Sequence, residues 1–197
     1  MSEGSGLTAR EQELEELVRQ AFFENAIIHG ELGGVQLLSS EGASRITWRG
    51  ESAEQLATRL GHHEVAAWLR ATHNWTELHH VEFLPHKRTR EMLRAGTDIH
   101  AEVKPFGVTP LSIAQDLAAA AQPITHSAFL VLEAAKPWSR KTHKYFPAPA
   151  RARAVELWPW GFRFSRRFPR EEQAMFDVWM TIVMPMEVTR AYTRPGP

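Results

Sequence analysis

Apolar side chains recur along most of this chain at intervals of three or four residues, the spacing that places them on one face of an α-helix. This pattern predicts an all-α fold. The positions that carry it are Leu78, Val81, Leu84, Met92, Leu93, Leu111, Ala114, Leu117, Phe129, Leu130 and Leu132, followed by Val155, Leu157, Trp158, Met175, Phe176, Val178, Trp179 and Ile182.

Polar residues and prolines predict where some of these helices begin and end. Thr8 followed three residues later by Glu11 is typical of a capping box, so we expect a helix to begin there. Near the other end of the chain, Pro159 and Gly161 predict a break in the helix that contains "PAPARARAVELW", and Pro185 predicts the end of the next helix.

The sequence also contains an internal repeat. Thr76 in "WTELHH" aligns with Thr109 in "GVTPLSIA", 33 residues further along, and the leucines two positions after each threonine align as well. Upstream, Gly30 and Gly61 lie at equivalent positions, each ahead of a short apolar helix. A fixed period of this length is typical of repeat architectures built from helix pairs.

Three fragments resemble the ankyrin-repeat family. "GVTPLSIA" resembles the motif of the first helix of a repeat, "GHHEVAAWL" that of the second helix, and "RAGTDIHA" the end of a repeat. The likeness covers four units that start near Glu16, Glu51, Trp75 and Gly107. It implies an ankyrin-type α-solenoid of stacked helix pairs with helical caps at both ends, because a single repeat cannot cover its own apolar face.

The same resemblance implies the domain organisation. We expect an N-terminal capping segment over 1–15, an ankyrin-repeat domain over 16–135, and a helical C-terminal cap or extension over 136–197. The chain departs from the family where Glu77 replaces the usual proline and Pro85 stands near the expected turn glycine. Between the second and third units there is no room for a full finger turn, the hairpin that joins one unit to the next.

The resemblance gives structural roles to residues that would otherwise suggest chemistry. In the family, the Thr and His of the first-helix motif brace the start of that helix, and Thr76 and His79 hold those places here. The residues that match structural positions of the motif are Thr76, His79, Thr109, Gly61, His62, Gly96 and Asp98.

For function, the resemblance implies a non-enzymatic adaptor or scaffold that binds another protein through the concave face and the finger turns. The candidate contacts are Arg45, Thr47, Trp48 and Arg49 on the first finger turn, and Glu102, Lys104 and Phe106 on the last. Trp48 has two interpretations: its ring contacts a partner, or it folds back on the neighbouring turn or helix pair. We expect a monomer that binds no cofactor.

The composition limits both the class of protein and the cellular compartment that fit this sequence. The 43% hydrophobic content and 23% charged content are those of a folded domain with a substantial core. The absence of cysteine excludes disulfides, thiolate metal sites and cysteine catalysis. The acidic start differs from a secretory signal, and no apolar run approaches the ~18–20 residues of a membrane span. We therefore expect an intracellular protein of the cytoplasm or nucleus.

The zero net charge hides an uneven distribution of charged residues. Between residues 1 and 31 there are seven acidic side chains and two basic ones, whereas between 140 and 170 there are nine basic side chains and one acidic one. The stretch over 151–170 combines arginines with Trp and Phe. The alternative function for the protein is therefore binding of nucleic acid or an acidic surface through this stretch. The aromatic rings would stack on bases and the arginines would hold phosphates.

The remaining candidate chemistry is a cluster of histidines. His73, His79, His80 and His86 could supply imidazole ligands to zinc, but no pair shows the helical spacing of a HExxH site. No nucleophile elbow, phosphate loop or paired-carboxylate motif is present. A metal site or an enzyme is therefore the least favoured alternative, and we expect neither.

Overall fold

A computed structural model of the chain describes residues 8–104, 107–120 and 124–191. Over these ranges the secondary structure is helical and no named strand occurs, which confirms the predicted all-α class. The contacts divide the chain into two compact units, Met1–Leu84 and Pro85–Pro197. No described helix is long and apolar enough to cross a membrane.

The N-terminal unit contains two helix pairs. Its elements are α1 (Ala9–His29), α2 (Leu32–Ser40), α3 (Ala53–Arg59) and α4 (His63–Ala71), followed by a 3₁₀ helix (Glu77–His80). Helix α1 packs against α2 and α3, and α2 also contacts α4 and the 3₁₀ helix. The core between them includes the buried side chains of Phe23, Ile27, Val35, Leu56, Val65 and Leu69.

Helix α1 begins at the predicted capping box. The Thr8 backbone N–H donates to the Glu11 carboxylate at 2.7 Å, and the Glu11 N–H donates to the Thr8 hydroxyl at 3.3 Å. The helix runs without interruption through the expected domain boundary at residue 15. Residues 8–18 are all exposed, and the buried face of α1 begins near Gln20.

The turn from α1 to α2 requires glycine. Gly30 has a φ of +71°, and a Cβ at this position would lie 2.5 Å from Nδ1 of His62. The His62 ring is held there because its Nε2 donates to the Ile28 carbonyl at 2.9 Å. Glycine is therefore required at position 30 for two reasons: the backbone has a positive φ, and the His62 ring of the second helix pair leaves no space for a side chain.

The C-terminal unit contains more helices of unequal length. They are α5 (His86–Ala95), α6 (Pro110–Ala119), α7 (His126–Ala135), a 3₁₀ helix (His143–Tyr145), α8 (Ala148–Ser165), α9 (Glu172–Val178), a π-helical turn (Trp179–Val183) and α10 (Met184–Glu187). Helix α7 packs against α5 and α6. A separate core cluster joins α8 to the end of the chain through Trp138, Phe146, Ala150, Ala154, Leu157, Met184 and Val188.

The last segment is also tied to α5 by Arg190. Its guanidinium donates to the Tyr145 carbonyl at 2.7 Å and to the Leu93 carbonyl at 3.0 Å. Burial lowers the pKa of Arg190, and the charge of Asp98 opposes that shift. Residues from 136 onward therefore share hydrogen bonds with a helix of the predicted repeat region.

The prediction that Pro159 and Gly161 break the helix is wrong, because α8 continues to Ser165 with Pro159 inside it. Proline removes the bond to the carbonyl of Val155, which lies on the exposed face of α8, where solvent can hydrogen-bond the freed carbonyl. Gly161 is buried, and a Cβ there would lie 2.5 Å from the Trp179 ring. The close packing of Trp179 on Gly161 favours the continuous helix and opposes the proline cost of ~3 kcal/mol.

Pro185 likewise does not end its helix, since α10 extends to Glu187. It lies in the first turn of α10, where a missing N–H costs least.

Two hairpin turns join helices in the described part of the chain. Isolated antiparallel bridges pair Ile46 with Ser52 and Val103 with Val108. Residues 72–76, which are all described, contain no such bridge.

Candidate binding surface around the Trp48 turn

The turn over 44–52 is a short hairpin between α2 and α3. The Thr47 N–H donates to the Glu51 carbonyl at 2.9 Å, and the Gly50 N–H donates to the Thr47 carbonyl at 2.9 Å. Gly50 adopts a φ of +80°, which closes the turn at little steric cost. The Ala53 N–H donates to the Arg45 carbonyl at 2.8 Å and ties the turn to the start of α3.

Two side chains of α1, Gln20 and Glu24, lie one helical turn apart and form hydrogen bonds with the backbone of this hairpin. The buried Gln20 side chain donates to the carbonyls of Ser44 and Ile46 at 3.3 and 3.2 Å, and accepts from the Ser44 N–H at 2.9 Å. The Glu24 carboxylate accepts from the Trp48 N–H at 2.7 Å. The backbone of the turn is therefore fixed by bonds within the hairpin and by bonds to α1.

This fixed backbone presents Trp48 to solvent. Trp48 is 64% exposed although its own N–H is bonded to α1. Ile46 and Arg49 are exposed beside it in the sequence. A large aromatic side chain on an ordered turn loses little conformational freedom when a partner covers it.

The other two candidates on this turn have their polar groups occupied within the fold. The Arg45 guanidinium donates to the Leu69 carbonyl at 3.1 Å and to the Thr72 hydroxyl at 3.0 Å, and it lies 5.2 Å from the centre of the Trp68 ring. Burial lowers the pKa of Arg45 to about 10. Thr47 is 5% exposed, and its hydroxyl donates to the Glu51 carbonyl at 3.0 Å.

Beneath Arg45, the imidazole of His80 is buried among aromatic rings. It is 2% exposed, and its ring centre lies 5.1 Å from that of Trp75 and 5.6 Å from that of Trp68. Its Nδ1 has no hydrogen-bond partner in the described part of the chain. Burial, with smaller contributions from the charges of Arg45 and His79, lowers the pKa of His80 to about 4. The ring is therefore neutral at physiological pH.

The second hairpin turn carries the remaining candidates. The Val103 N–H donates to the Val108 carbonyl at 2.9 Å, and the Gly107 N–H donates to the Val103 carbonyl at 3.0 Å. Glu102 and Lys104 are exposed. Phe106 lies outside the described residues.

The seven residues assigned to structural motifs all take part in caps or turns. The Thr76 N–H donates to Nδ1 of the buried His79 at 3.1 Å, at the start of the 3₁₀ helix. The hydroxyl of Thr109 accepts from the Ser112 N–H at 3.0 Å at the start of α6. Gly61 and Gly96 have φ values of +82° and +94°, His62 bonds Ile28 as described above, and Asp98 accepts from the His100 N–H at 2.8 Å.

The histidines considered as zinc ligands have different surroundings. His79 and His80 are buried beside Trp75, whereas His73 is exposed. His86 begins α5, and its ring centre is 6.3 Å from that of His126. Over 8–104, 107–120 and 124–191, no group of three or more His, Asp or Glu residues could hold a metal ion.

The basic aromatic stretch over 151–170 lies mainly on α8. Trp160 is 57% exposed, and the Arg163 guanidinium lies 5.2 Å from the centre of its ring. Other rings of the stretch pack within the unit, since Phe162 stacks on Phe176 at 4.5 Å and Phe164 lies 5.8 Å from Trp179. The stretch is thus partly internal packing and partly an exposed cationic surface.

Sequence reasoning missed Gln20 and Glu24. Their spacing of four residues on a predicted helix is the one available signal, and it does not distinguish a pair that holds a distant turn from a solvated pair. Their partners lie 24 and 26 residues away in the chain.

Together, the fold and this turn define an all-helical protein with an exposed aromatic side chain on a hydrogen-bonded hairpin. No family model matches the chain, and neither a curated protein nor a solved structure is significantly similar to it.

Proposed function

We propose that this chain is an irregular ankyrin-type repeat protein that acts as a non-enzymatic adaptor, binding another protein through the turn that carries Trp48. The repeat assignment is supported by the 33-residue period of Thr76 and Thr109, by helix pairs with left-handed glycines after their helices, and by hairpin turns between units. The bond between Thr76 and His79 also matches the expected brace of the first-helix motif.

One observation carries the binding proposal: Trp48 is 64% exposed on a backbone that is hydrogen-bonded on both sides. Aromatic side chains are enriched among interface residues whose truncation costs ~2 kcal/mol or more. Because Gln20 and Glu24 already hold the turn, little ordering is required when a partner binds. Arg49 adds a positive charge next to the ring in the sequence.

The test is affinity capture from native lysate with the wild type, Trp48→Ala and Phe22→Ala, read by quantitative mass spectrometry. Phe22 is the control, because it is 61% exposed, similar to Trp48, and lies outside both the Trp48 turn and the 151–170 stretch. We expect Trp48→Ala alone to lose a defined set of proteins. Its free energy of unfolding should change by less than ~0.5 kcal/mol, since alanine keeps the N–H that donates to Glu24.

If Trp48→Ala captures the same proteins as the wild type, the binding surface is elsewhere. If it lowers the melting temperature instead, the Trp48 ring packs within the fold.

A second candidate function is binding of nucleic acid through the exposed part of the 151–170 stretch, favoured by the stacking of Arg163 on Trp160. Arg166 and Arg167 are exposed in the same segment. Binding of a labelled single-stranded oligonucleotide should weaken steeply with rising salt, because neutralised phosphates release counterions. It should also be lost in the Arg166→Glu/Arg167→Glu double variant, and retention in that variant would reject this function.

A further inference from the structure

The C-terminal unit contains a cavity of about 400 Å³ between the segment after α7 and the middle of α8. Its walls are mainly apolar, formed by Trp138, Val155, Trp158 and Pro159, with Arg140 and His143 as the polar members. A concave apolar site with a few polar groups at defined positions is the usual form of a ligand pocket.

The floor of this cavity is held in place by hydrogen bonds. Trp138 is buried, and its indole N–H donates to Nδ1 of His143 at 3.1 Å, with the two rings nearly perpendicular. Burial, together with the charge of Arg151, lowers the pKa of His143, which favours the neutral ring that accepts this bond. Ser139 and Thr142 exchange backbone-to-hydroxyl bonds of 2.8 and 3.2 Å, which fix the intervening turn.

The mouth of the cavity is cationic. The Arg140 guanidinium lies 4.3 Å from the centre of the Trp158 ring and is exposed. Arg153, further along α8, is ion-paired with Glu156 and Glu187, so the cationic group that lines the cavity is Arg140. A ligand that places negative charge next to an apolar group would complement this site.

An exposed apolar track continues from the cavity along α8. Val155 is 67% exposed, Pro159 is exposed, and Phe162 is 42% exposed although its ring also stacks on Phe176. Spacings of four and three residues place all three on one helix face over ~10 Å. By helical spacing, the exposed Arg163 and the C-cap residue Arg166 lie beside this track. Glu156 lies on the same side as Arg163 and is paired with Arg153. The length of the track favours an elongated ligand over a compact molecule.

We propose that this groove binds an acidic amphipathic helix of a partner protein. One large apolar side chain of that helix enters the cavity between Trp138 and Trp158, and further apolar side chains at helical spacing lie along Val155, Pro159 and Phe162. The carboxylates of that helix face Arg140, Arg163 and Arg166. Helix-in-groove recognition uses apolar contacts at this spacing. The groove shares no residue with the Trp48 turn, and this proposal does not depend on that turn.

The experiment measures binding of fluorescent synthetic peptides to the full chain by anisotropy. The first probe has Leu or Phe at i, i+4 and i+7 and Glu at the other positions. The second has the same composition with the apolar spacing scrambled, and the third has Lys in place of Glu. We expect only the first to bind.

Charge reversal at the rim separates this groove from general electrostatic attraction. Arg140→Glu should weaken binding of the first probe by about tenfold or more, as should Val155→Glu. The matched control is Arg167→Glu, an equal charge change at an exposed arginine outside the cavity, which should have little effect. Arg140 and Val155 are both exposed, and a thermal melt of each variant checks that the fold is retained.

Several outcomes would overturn the proposal. Equal binding of the scrambled probe, or equal losses in Arg140→Glu and Arg167→Glu, would show that binding is charge attraction alone. A single-stranded oligonucleotide that binds in an Arg140-dependent manner and displaces the first probe would assign the groove to nucleic acid. Concentration-dependent sedimentation that Arg140→Glu abolishes would assign it to a second copy of this chain.

The Trp48→Ala variant distinguishes this proposal from the proposed function. It should bind the first probe as the wild type does. Loss of captured proteins in Trp48→Ala with normal probe binding supports both surfaces, whereas normal capture with normal probe binding rejects the Trp48 turn alone.

Discussion

Lowering the pH should destabilise the fold through the buried imidazole of His80. Its pKa is about 4 in the folded protein and has an ordinary value of 6.5. The unfolded chain therefore takes up a proton on this ring at a higher pH than the folded chain does. As the pH falls from 6.5 to 4, the unfolded state gains stability relative to the folded state, and below pH 4 the loss is complete.

The size of the effect follows from the pKa shift. Each unit corresponds to ~1.4 kcal/mol, so a shift from 6.5 to about 4 amounts to a loss of ~3 kcal/mol across the window, and ~2 kcal/mol is already lost at pH 5. The cause lies in the surroundings of the ring. Protonation would place a buried charge beside the Arg45 guanidinium, between the rings of Trp68 and Trp75.

The matched variant is His80→Phe, which keeps an aromatic ring in the same apolar surroundings and removes the titrating group. Urea unfolding followed by circular dichroism at pH 7.5 and pH 5 gives the free energy of unfolding of each protein. Carboxylates titrate in both proteins, so the difference between their pH dependences isolates His80. We expect the wild type to lose ~2 kcal/mol more than His80→Phe on going to pH 5.

An NMR titration of the His80 ring checks the same prediction directly. Equal pH dependence in the two proteins, or a ring that titrates near 6.5, would refute the reasoning that burial and Arg45 keep His80 neutral.

Three further substitutions test contacts within single units. Gly30→Ala should destabilise the N-terminal unit by more than ~1 kcal/mol in urea unfolding. The effect should exceed that of Gly61→Ala, because both positions have a positive φ but only Gly30 has a ring within 4 Å of the added Cβ. Gln20→Ala should lower the melting temperature and also weaken capture through the turn that carries Trp48, since three bonds to that turn are lost; unchanged capture would show that the turn needs no support from α1. Arg190→Ala should remove one hydrogen bond from each of the carbonyls of Tyr145 and Leu93, of which Leu93 keeps its bond from the Gly96 N–H, and should make the C-terminal segment more sensitive to limited proteolysis. An unchanged cleavage pattern would mean that apolar packing alone holds the segment.

Local features were predictable from the sequence because few neighbouring residues determine them. The capping box of Thr8 and Glu11 and the start of α6 at Thr109 depend on bonds between residues three apart. The helical class follows from the spacing of apolar positions, and the lack of a hairpin bridge over 72–76 follows from the shortness of that linker. These features need no knowledge of what lies opposite in the fold.

Tertiary contacts decided which candidates are presented to solvent. Arg45, Thr47, Trp48 and Arg49 are neighbours in the sequence, yet the side chains of Arg45 and Thr47 are bonded within the fold while Trp48 is mostly exposed. The Arg45 guanidinium bonds residues 24 and 27 positions away, and no local pattern indicates such partners.

The difference between local sequence signals and tertiary contacts also explains why the prediction at Pro159 was wrong. Proline predicts a break from local geometry alone, but packing of α8 against the end of the chain, including Trp179 against Gly161, keeps the helix continuous. The sequence by itself determined the helical class and the capped helix starts, because these depend on backbone hydrogen bonds and residue spacing. Only the tertiary structure decided which aromatic rings are buried, because burial depends on side chains brought together from distant parts of the chain.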